Sequence, residues 1–192
     1  MSGDAVVAMP LFQKMYGGSI PTSPLQFEIV EISTNQAQKL NMKWHSRLPV
    51  YRTGFLLTSK VCFGALFENH FYAVAIWGNP VARLLPQDRW LELKRFAICS
   101  EAPKNTASRM MRIMIKFIKF NFPYIEKLIS YQDMEVHQGT IYKASGWKIG
   151  HIHSGGKWAS RNTIDPNTGK RRDRPDLNNA IGPKIRWEKD IR

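Results

Sequence analysis

Apolar and polar positions change period several times along this 192-residue chain. In "LQFEIVEIS", Phe27, Ile29 and Ile32 alternate with polar residues, which predicts a half-buried strand. "TNQAQKLNMKWHS" then predicts a short helix, capped at Thr34 or Asn35 and running to about Lys43. "VCFGALFENHFYAVAIWG" is two apolar runs about the polar turn Glu68-Asn69-His70, a hairpin pattern. "WLELKRFAIC" reads as a further strand, with Leu91, Leu93 and Phe96 to Ile98 as core positions. A long helix follows from about Thr106 to Asn121, where Pro123 stops it. "EKLISYQD" is strand-like, and "QGTIYKASG" is a short helix halted by Gly146. "WKIGHIHS" and "GKWASR" predict a last hairpin across Gly155-Gly156.

This order gives an α/β domain with a mixed, largely antiparallel sheet flanked by helices. "GGSIPTSP" and "NPVARLLPQDR" are loops, the second broken by Pro80 and Pro86. From Asn162 the chain turns basic and rich in turn formers. The expected organisation is therefore a folded domain over residues 1–161 and an irregular basic extension over 162–192, whose Ile185 and Trp187 dock its end.

Composition sharpens this picture in three ways. The hydrophobic fraction of 43% and charged fraction of 22% are those of an ordinary globular chain. No apolar run reaches the roughly 20 residues that span a bilayer, and the first residues carry no basic, apolar leader pattern. The expectation is an intracellular protein without membrane contact. Cys62 and Cys99 fall in predicted strands at no metal-binding spacing, so reduced thiols are expected. Lys and Arg total 28 against 15 acids, a net charge of +13, which favours a polyanionic partner, nucleic acid first.

The long helix carries both signals. Arg109, Arg112, Lys116 and Lys119 recur on one face, while Met111, Ile115, Ile118 and Phe122 lie opposite, beside Met110, Met114 and Phe117. The basic stripe is either a solvated face or a set of phosphate contacts. "PKNTAS" precedes the first turn. A helix start offers unpaired N–H groups and partial positive charge, to which Lys104 adds charge, Thr106 and Ser108 add hydroxyls, and small side chains allow close approach. The alternative is an ordinary capped helix.

A strand, an anion loop and a helix in that order resemble the pyrophosphate site of GNAT acyltransferases, here without the usual loop glycines. The set "WHSRLP", "ELKRFAI", "PKNTASR" and "SYQD…GTIYKASGW", spanning about Met42 to His151, resembles more closely the Mom family of phage DNA-modification proteins. That resemblance implies a GNAT-like fold, and a transferase that adds a carbamoylmethyl or related acyl-type group to the N6 amine of adenine in phage DNA. It implies DNA and a donor cofactor as partners, acetyl-CoA or another acyl donor, with iron as a further candidate, in the cytoplasm of the bacterial host.

It also suggests roles. Tyr142 occupies the element on which GNAT enzymes place a tyrosine that protonates the leaving thiolate. Asp133, at the end of "LISYQD", and His45, in "WHSRLP", join it as catalytic candidates, each set against a plainer reading as core tyrosine or turn acid. Arg95, Lys104, Asn105, Thr106, Ala107, Ser108 and Arg109 are the donor-binding candidates. Lys94 and Arg95, adjacent on one strand, are expected on opposite faces. Ser46 and Arg47 are candidates for target phosphate or donor, and Lys170, Arg171, Arg172 and Arg174 for a backbone clamp, the alternative being a disordered charged extension. Trp77, Trp90, Trp147 and Trp158 are core residues or stacking surfaces for an extruded base. A conventional CoA-dependent N-acetyltransferase and a non-catalytic nucleic-acid-binding or anti-restriction protein are the competing readings.

Overall fold

The computed structural model describes residues 20–45, 59–154 and 182–192. It contains strands β1 (Glu28–Glu31), β2 (Ser59–Phe67), β3 (His70–Gly78), β4 (Trp90–Ile98), β5 (Lys127–Asp133), β6 (Lys148–His153) and β7 (Lys184–Asp190). Its α-helices are α1 (Thr34–Trp44), α2 (Thr106–Asn121) and α3 (Thr140–Ala144), and a single 3₁₀ turn (Pro24–Gln26) precedes β1. The strands form one sheet in the order β1-β2-β3-β4-β5-β7-β6. Neighbours are antiparallel except β4 and β5, which run parallel because α2 returns the chain between them. The expected mixed, largely antiparallel sheet with flanking helices is what forms. No described helix is long and apolar enough to cross a membrane.

Each face of the sheet has its own core. On one, Leu91 and Leu93 of β4, Leu128 of β5 and Trp187 of β7 pack with Met110, Met111, Met114, Ile115 and Ile118 of α2. Met114 also accepts a hydrogen bond on Sδ from Trp77 Nε1 at 3.3 Å. On the other, Cys62, Val74, Ile76 and Ala97 meet Ala37 and Leu40 of α1. The apolar face of α2 is the one its periodicity predicts, and Arg112, Lys116 and Lys119 point outward. Truncating any one of the fully buried residues to Ala would cost about 2–5 kcal/mol.

Local chemistry explains the boundaries. Glu68 and Asn69 both take positive φ, 45° and 64°, the backbone of a tight two-residue hairpin turn, so His70 already belongs to β3. Ser33, one residue before the expected caps, accepts the Gln36 N–H on its side chain and starts α1. Gly146, at φ 69°, follows α3 in the left-handed conformation that a non-glycine residue adopts at a cost.

Two expectations change. β6 forms, but its partner is β7, and the segment expected to pair with it, 157–161, lies outside the described residues. The irregular reading of the tail does not hold for Lys184–Asp190. This strand inserts between β5 and β6 along its whole length, with Ile185 and Trp187 in the core and charged residues alternating on the other face. The basic residues of the tail concealed a period-2 pattern. Both cysteines are free thiols; Cys62 is buried in β2 and Cys99 follows the end of β4.

Candidate active site at the strand divergence

β4 and β5 pair only from Trp90–Lys127 to Leu93–Ser130, although β4 continues to Ile98 and β5 to Asp133. Beyond Leu93 the two strands part. The cause lies on the other side of β4. Trp77 pairs with Leu93 but Ile76 pairs with Arg95, so Lys94 is an extra residue, a β-bulge. Bulges bend a strand and end its pairing. The result is a cleft through the sheet, open between backbone segments that no longer satisfy each other.

Tyr142 stands on the α2 side of this cleft. Its hydroxyl lies 2.9 Å from Ser130 Oγ, and Ser130 donates to the Leu93 carbonyl at 3.1 Å, across the last β4–β5 pair. With the Ser130 hydrogen so used, the Tyr142 O–H is the donor to Ser130. The ring stacks on Trp187 (5.3 Å between centroids, 13°) and meets Trp147 edge-on. Burial pushes the Tyr142 phenol above its ordinary value, so it keeps its proton at neutral pH. Gly139, just before α3, places this residue. Its φ is 71°, and a Cβ there would collide with Gln132 Oε1 and meet Trp187 Cζ2 at 2.8 Å. Gln132 accepts from Trp187 Nε1 at 2.7 Å and donates to the His137 carbonyl, tying β5, β7 and the loop before α3 together.

His45, Arg95 and His137 gather on the α1 side. The bulge puts Arg95 on the same face as Ile76 and α1, away from the α2 loop with which the sequence grouped it. Its Nη1 donates to the Lys94 carbonyl at 2.6 Å. His45 is the C-cap of α1 and donates its backbone N–H to Asn41 O. Burial first, then the charges of Arg95 and His137, pull the His45 ring down to about 4, leaving a neutral imidazole at pH 7. Asp133 closes β5 as a turn acid: its Oδ1 accepts the Glu135 N–H at 3.0 Å and its carbonyl accepts the His137 N–H at 3.1 Å. It holds the loop that presents His137. Tyr142 and His45 thus lie on opposite faces of the sheet.

Glu92 and Lys94 are also buried at the bulge. Glu92 accepts the Val81 N–H at 2.7 Å; burial raises its pKa and lowers that of Lys94, and each charge favours the other.

The loop into α2 begins beyond the cleft. Asn105 takes φ 68°, and no side chain caps the first turn. Thr106 is buried with its hydroxyl donated to the Pro103 carbonyl at 2.7 Å, so it closes the loop and does not face a ligand. Lys104 and Asn105 are exposed, and Ala107, Ser108 and Arg109 are half-buried. Arg109 reaches back to the Phe27 carbonyl at 3.5 Å. Between this turn and Pro24-Leu25 runs a groove of about 350 Å³, lined by Asn105, Ser108, Arg109, Arg112 and Lys116 among others. Its cations are Arg109, Arg112 and Lys116, while its walls, which include Pro24, Leu25 and Ile113, are mostly apolar.

Trp77 and Trp147 stack on one another in the core, which removes them as base-stacking surfaces, and Trp90 lies against Lys127 Nζ at 4.8 Å. Ser46, Arg47, Trp158, Lys170, Arg171, Arg172 and Arg174 lie outside the described residues. Among the described residues no three His, Cys, Asp or Glu side chains converge to hold an ion, so no ligand set for iron is found there. Sequence reasoning missed Ser130, Gln132 and His137. The alternation of β5 places Ser130 and Gln132 on the Tyr142 side, and could have found them.

The fold is that of the GNAT acetyltransferases. An IAA acetyltransferase from Bacillus cereus superposes with a TM-score of 0.59 at 14% identity, covering 86% of this chain and 99% of that one. A GNAT family acetyltransferase from Elizabethkingia anophelis with acetyl-CoA bound gives 0.58 at 12% identity, with 86% and 99% covered. A Bacillus subtilis acetyltransferase in complex with CoA gives 0.57 at 15%, with 87% and 99% covered. Within that class, residues 26–175 match the Mom protein family, and the chain belongs to it. No curated protein matches the chain significantly.

Proposed function

We propose that this protein is a DNA-modifying transferase that joins a carbamoylmethyl or related acyl-type group to the N6 amine of adenine, working through the cleft between β4 and β5. The observation that supports this reading is the parting of β4 and β5 in a Mom family chain, with a neutral His45 on one face of the sheet and a proton-bearing Tyr142 on the other.

The uncapped first turn of α2, with Lys104, Asn105, Ala107, Ser108 and Arg109, holds the anionic part of the donor. A CoA thioester, bound there, would supply an activated carbonyl and a thiolate leaving group for an acyl-type product; a carbamoylmethyl group, joined through its methylene carbon, would need a donor that carries its leaving group on that carbon. Arg95 lies on the acceptor side with His45. The adenine is extruded or single-stranded when it reaches the cleft, because its amine cannot be attacked within the stack. In the transfer, N6 forms its bond to the incoming carbon and gives up a proton to the His45 imidazole. The bond to the leaving group breaks, and its electron pair takes the phenolic proton of Tyr142, whose hydroxyl turns from Ser130 to give it. Asp133 keeps the loop that carries His137 in place. Ser46, Arg47, Lys170, Arg171, Arg172 and Arg174 add phosphate contacts that hold the DNA. The cation excess makes binding fall steeply with salt. Iron is retained as a candidate only through the family resemblance.

Nucleoside mass spectrometry on plasmid DNA from cells expressing the protein, beside a Tyr142→Phe control, tests this. A new adenosine-derived nucleoside, absent from the control, is expected, and its mass names the transferred group. An unchanged nucleoside profile with folded protein would overturn the reading and favour CoA-dependent acetylation of a small amine, which the acetyl-CoA-bound structural neighbour supports.

A further inference from the structure

The face of the sheet opposite α2 is divided. The core under α1 draws on β2, β3 and β4, and on β5, β7 and β6 no described helix joins it. On that half, register sets side chains in two rows. Tyr131 stands opposite Arg186, which stands opposite His151; Asp133 stands opposite Lys184, which stands opposite His153. Paired residues share a face, and the intervening Ile185 and Trp187 of β7 are buried on the other one. His151 and His153 are exposed, while Tyr131, Lys184 and Arg186 are half-buried. The rings form a run, with centroids 4.2 Å apart for His151–His153 and 6.0 Å for Tyr131–His153. Arg186 is held in place by Glu188 at 2.8 Å, and Glu188 is shared with Lys127 at 3.0 Å.

Aromatic rings in a row on an open sheet, interleaved with fixed cations, are how sheets bind unpaired nucleotides: bases stack on rings and phosphates meet the cations. The groove on α2 has cations as well, but none of its lining residues is aromatic. We infer that the β5-β7-β6 face is a platform for a single-stranded or extruded nucleotide, with Tyr131 and His153 stacking the base and Lys184 and Arg186 meeting its phosphates. This rests on the DNA reading above and gives the acceptor a side: it lies on the face that carries His45, and the donor loop is on the other.

The test is the binding of end-labelled oligo(dA) to the full chain by fluorescence anisotropy across a salt series, with melting curves to verify folding. Tyr131→Ala should raise Kd about 5- to 100-fold and Tyr131→Phe by no more than about twofold. Lys184→Ala should make the slope of log K against log salt shallower by about 0.7. A folded Tyr131→Ala protein that binds like the wild type overturns the platform. If Tyr131→Ala does not fold, the paired His153→Ala/Lys184→Ala variant decides: weaker binding supports the platform and unchanged binding overturns it. The two readings fail separately. Adenine modification by a Tyr131→Ala variant at wild-type rate and affinity removes the platform and leaves the function. Tyr131-dependent oligo(dA) binding by a wild type that makes no adenine product leaves the platform and removes the function.

Discussion

The Tyr142 hydroxyl stands 2.9 Å from Ser130 Oγ, at the residue where β5 makes its last pair with β4. Fold and chemistry meet in this contact. The same serine that ends the ladder accepts a hydrogen bond from the phenol and donates its own to the Leu93 carbonyl on the far strand. Tyr142→Phe keeps the ring against Trp187 and removes only the O–H. Product formation should fall ~100- to 10,000-fold, with a stability loss of about 1 kcal/mol. A time course of modified nucleoside, read with a urea melt, checks both, and undiminished turnover would remove Tyr142 from proton transfer.

His45 should shape the pH profile. Its folded value of about 4 lies below the ordinary 6.5, so on acidification the unfolded chain takes up the proton before the folded one does. The stability tied to this residue is complete above about pH 6.5 and is lost as pH falls from there towards 4. Between those limits the wild type should lose more stability than His45→Asn does. The acid limb of the transfer rate should fall near pH 4 rather than near 6.5. Parallel stability curves for the two proteins would show that the ring is not desolvated.

Gly139→Ala should harm both fold and activity. The new methyl group would press on Gln132 Oε1 and Trp187 Cζ2, on a backbone already at φ 71°. A loss of about 1–3 kcal/mol is expected, together with slower transfer, because α3 carries Tyr142. Denaturant melts at one pH measure the first and nucleoside analysis the second.

Lys104→Glu changes an exposed residue beside the uncapped start of α2. Stability should stay within about 0.5 kcal/mol, while affinity for an anionic donor drops roughly tenfold or more. Titration with CoA, read by hydrogen exchange along α2, is the check. Unchanged affinity would move the donor away from this loop.

Truncation before Lys184 should unfold the domain rather than only weaken DNA binding, because β7 bonds to both β5 and β6. Replacing Lys170, Arg171, Arg172 and Arg174 with Ala tests the clamp instead, with weaker salt-dependent DNA binding and an unchanged melt expected.

The elements whose period was clear, the β2–β3 hairpin, β4 and α2, were legible because burial on one side leaves a rhythm in the sequence. β7 was not, because charges occupy its open face and its partners are distant in the chain. The bulge at Lys94 was invisible for another reason. Alternation along one strand says nothing of how the neighbouring strand slips, so the sequence does not show that Arg95 shares a face with Ile76 and α1. Individual candidates for the site could be read from the sequence, and the alternation of β5 reaches Ser130, but His137 acquires meaning only through contacts set by the fold.

The insertion of β7 between β5 and β6 has a consequence for how the chain folds during synthesis. β6 has no described neighbour in the sheet but β7, and residues 154–183 separate the two. A growing chain must therefore hold β6 and an unpaired edge of β5 in waiting until that whole segment has been made. The sheet closes late, across a wide separation in sequence, and the ribosome will have finished Tyr142 well before the strand that supports its ring exists.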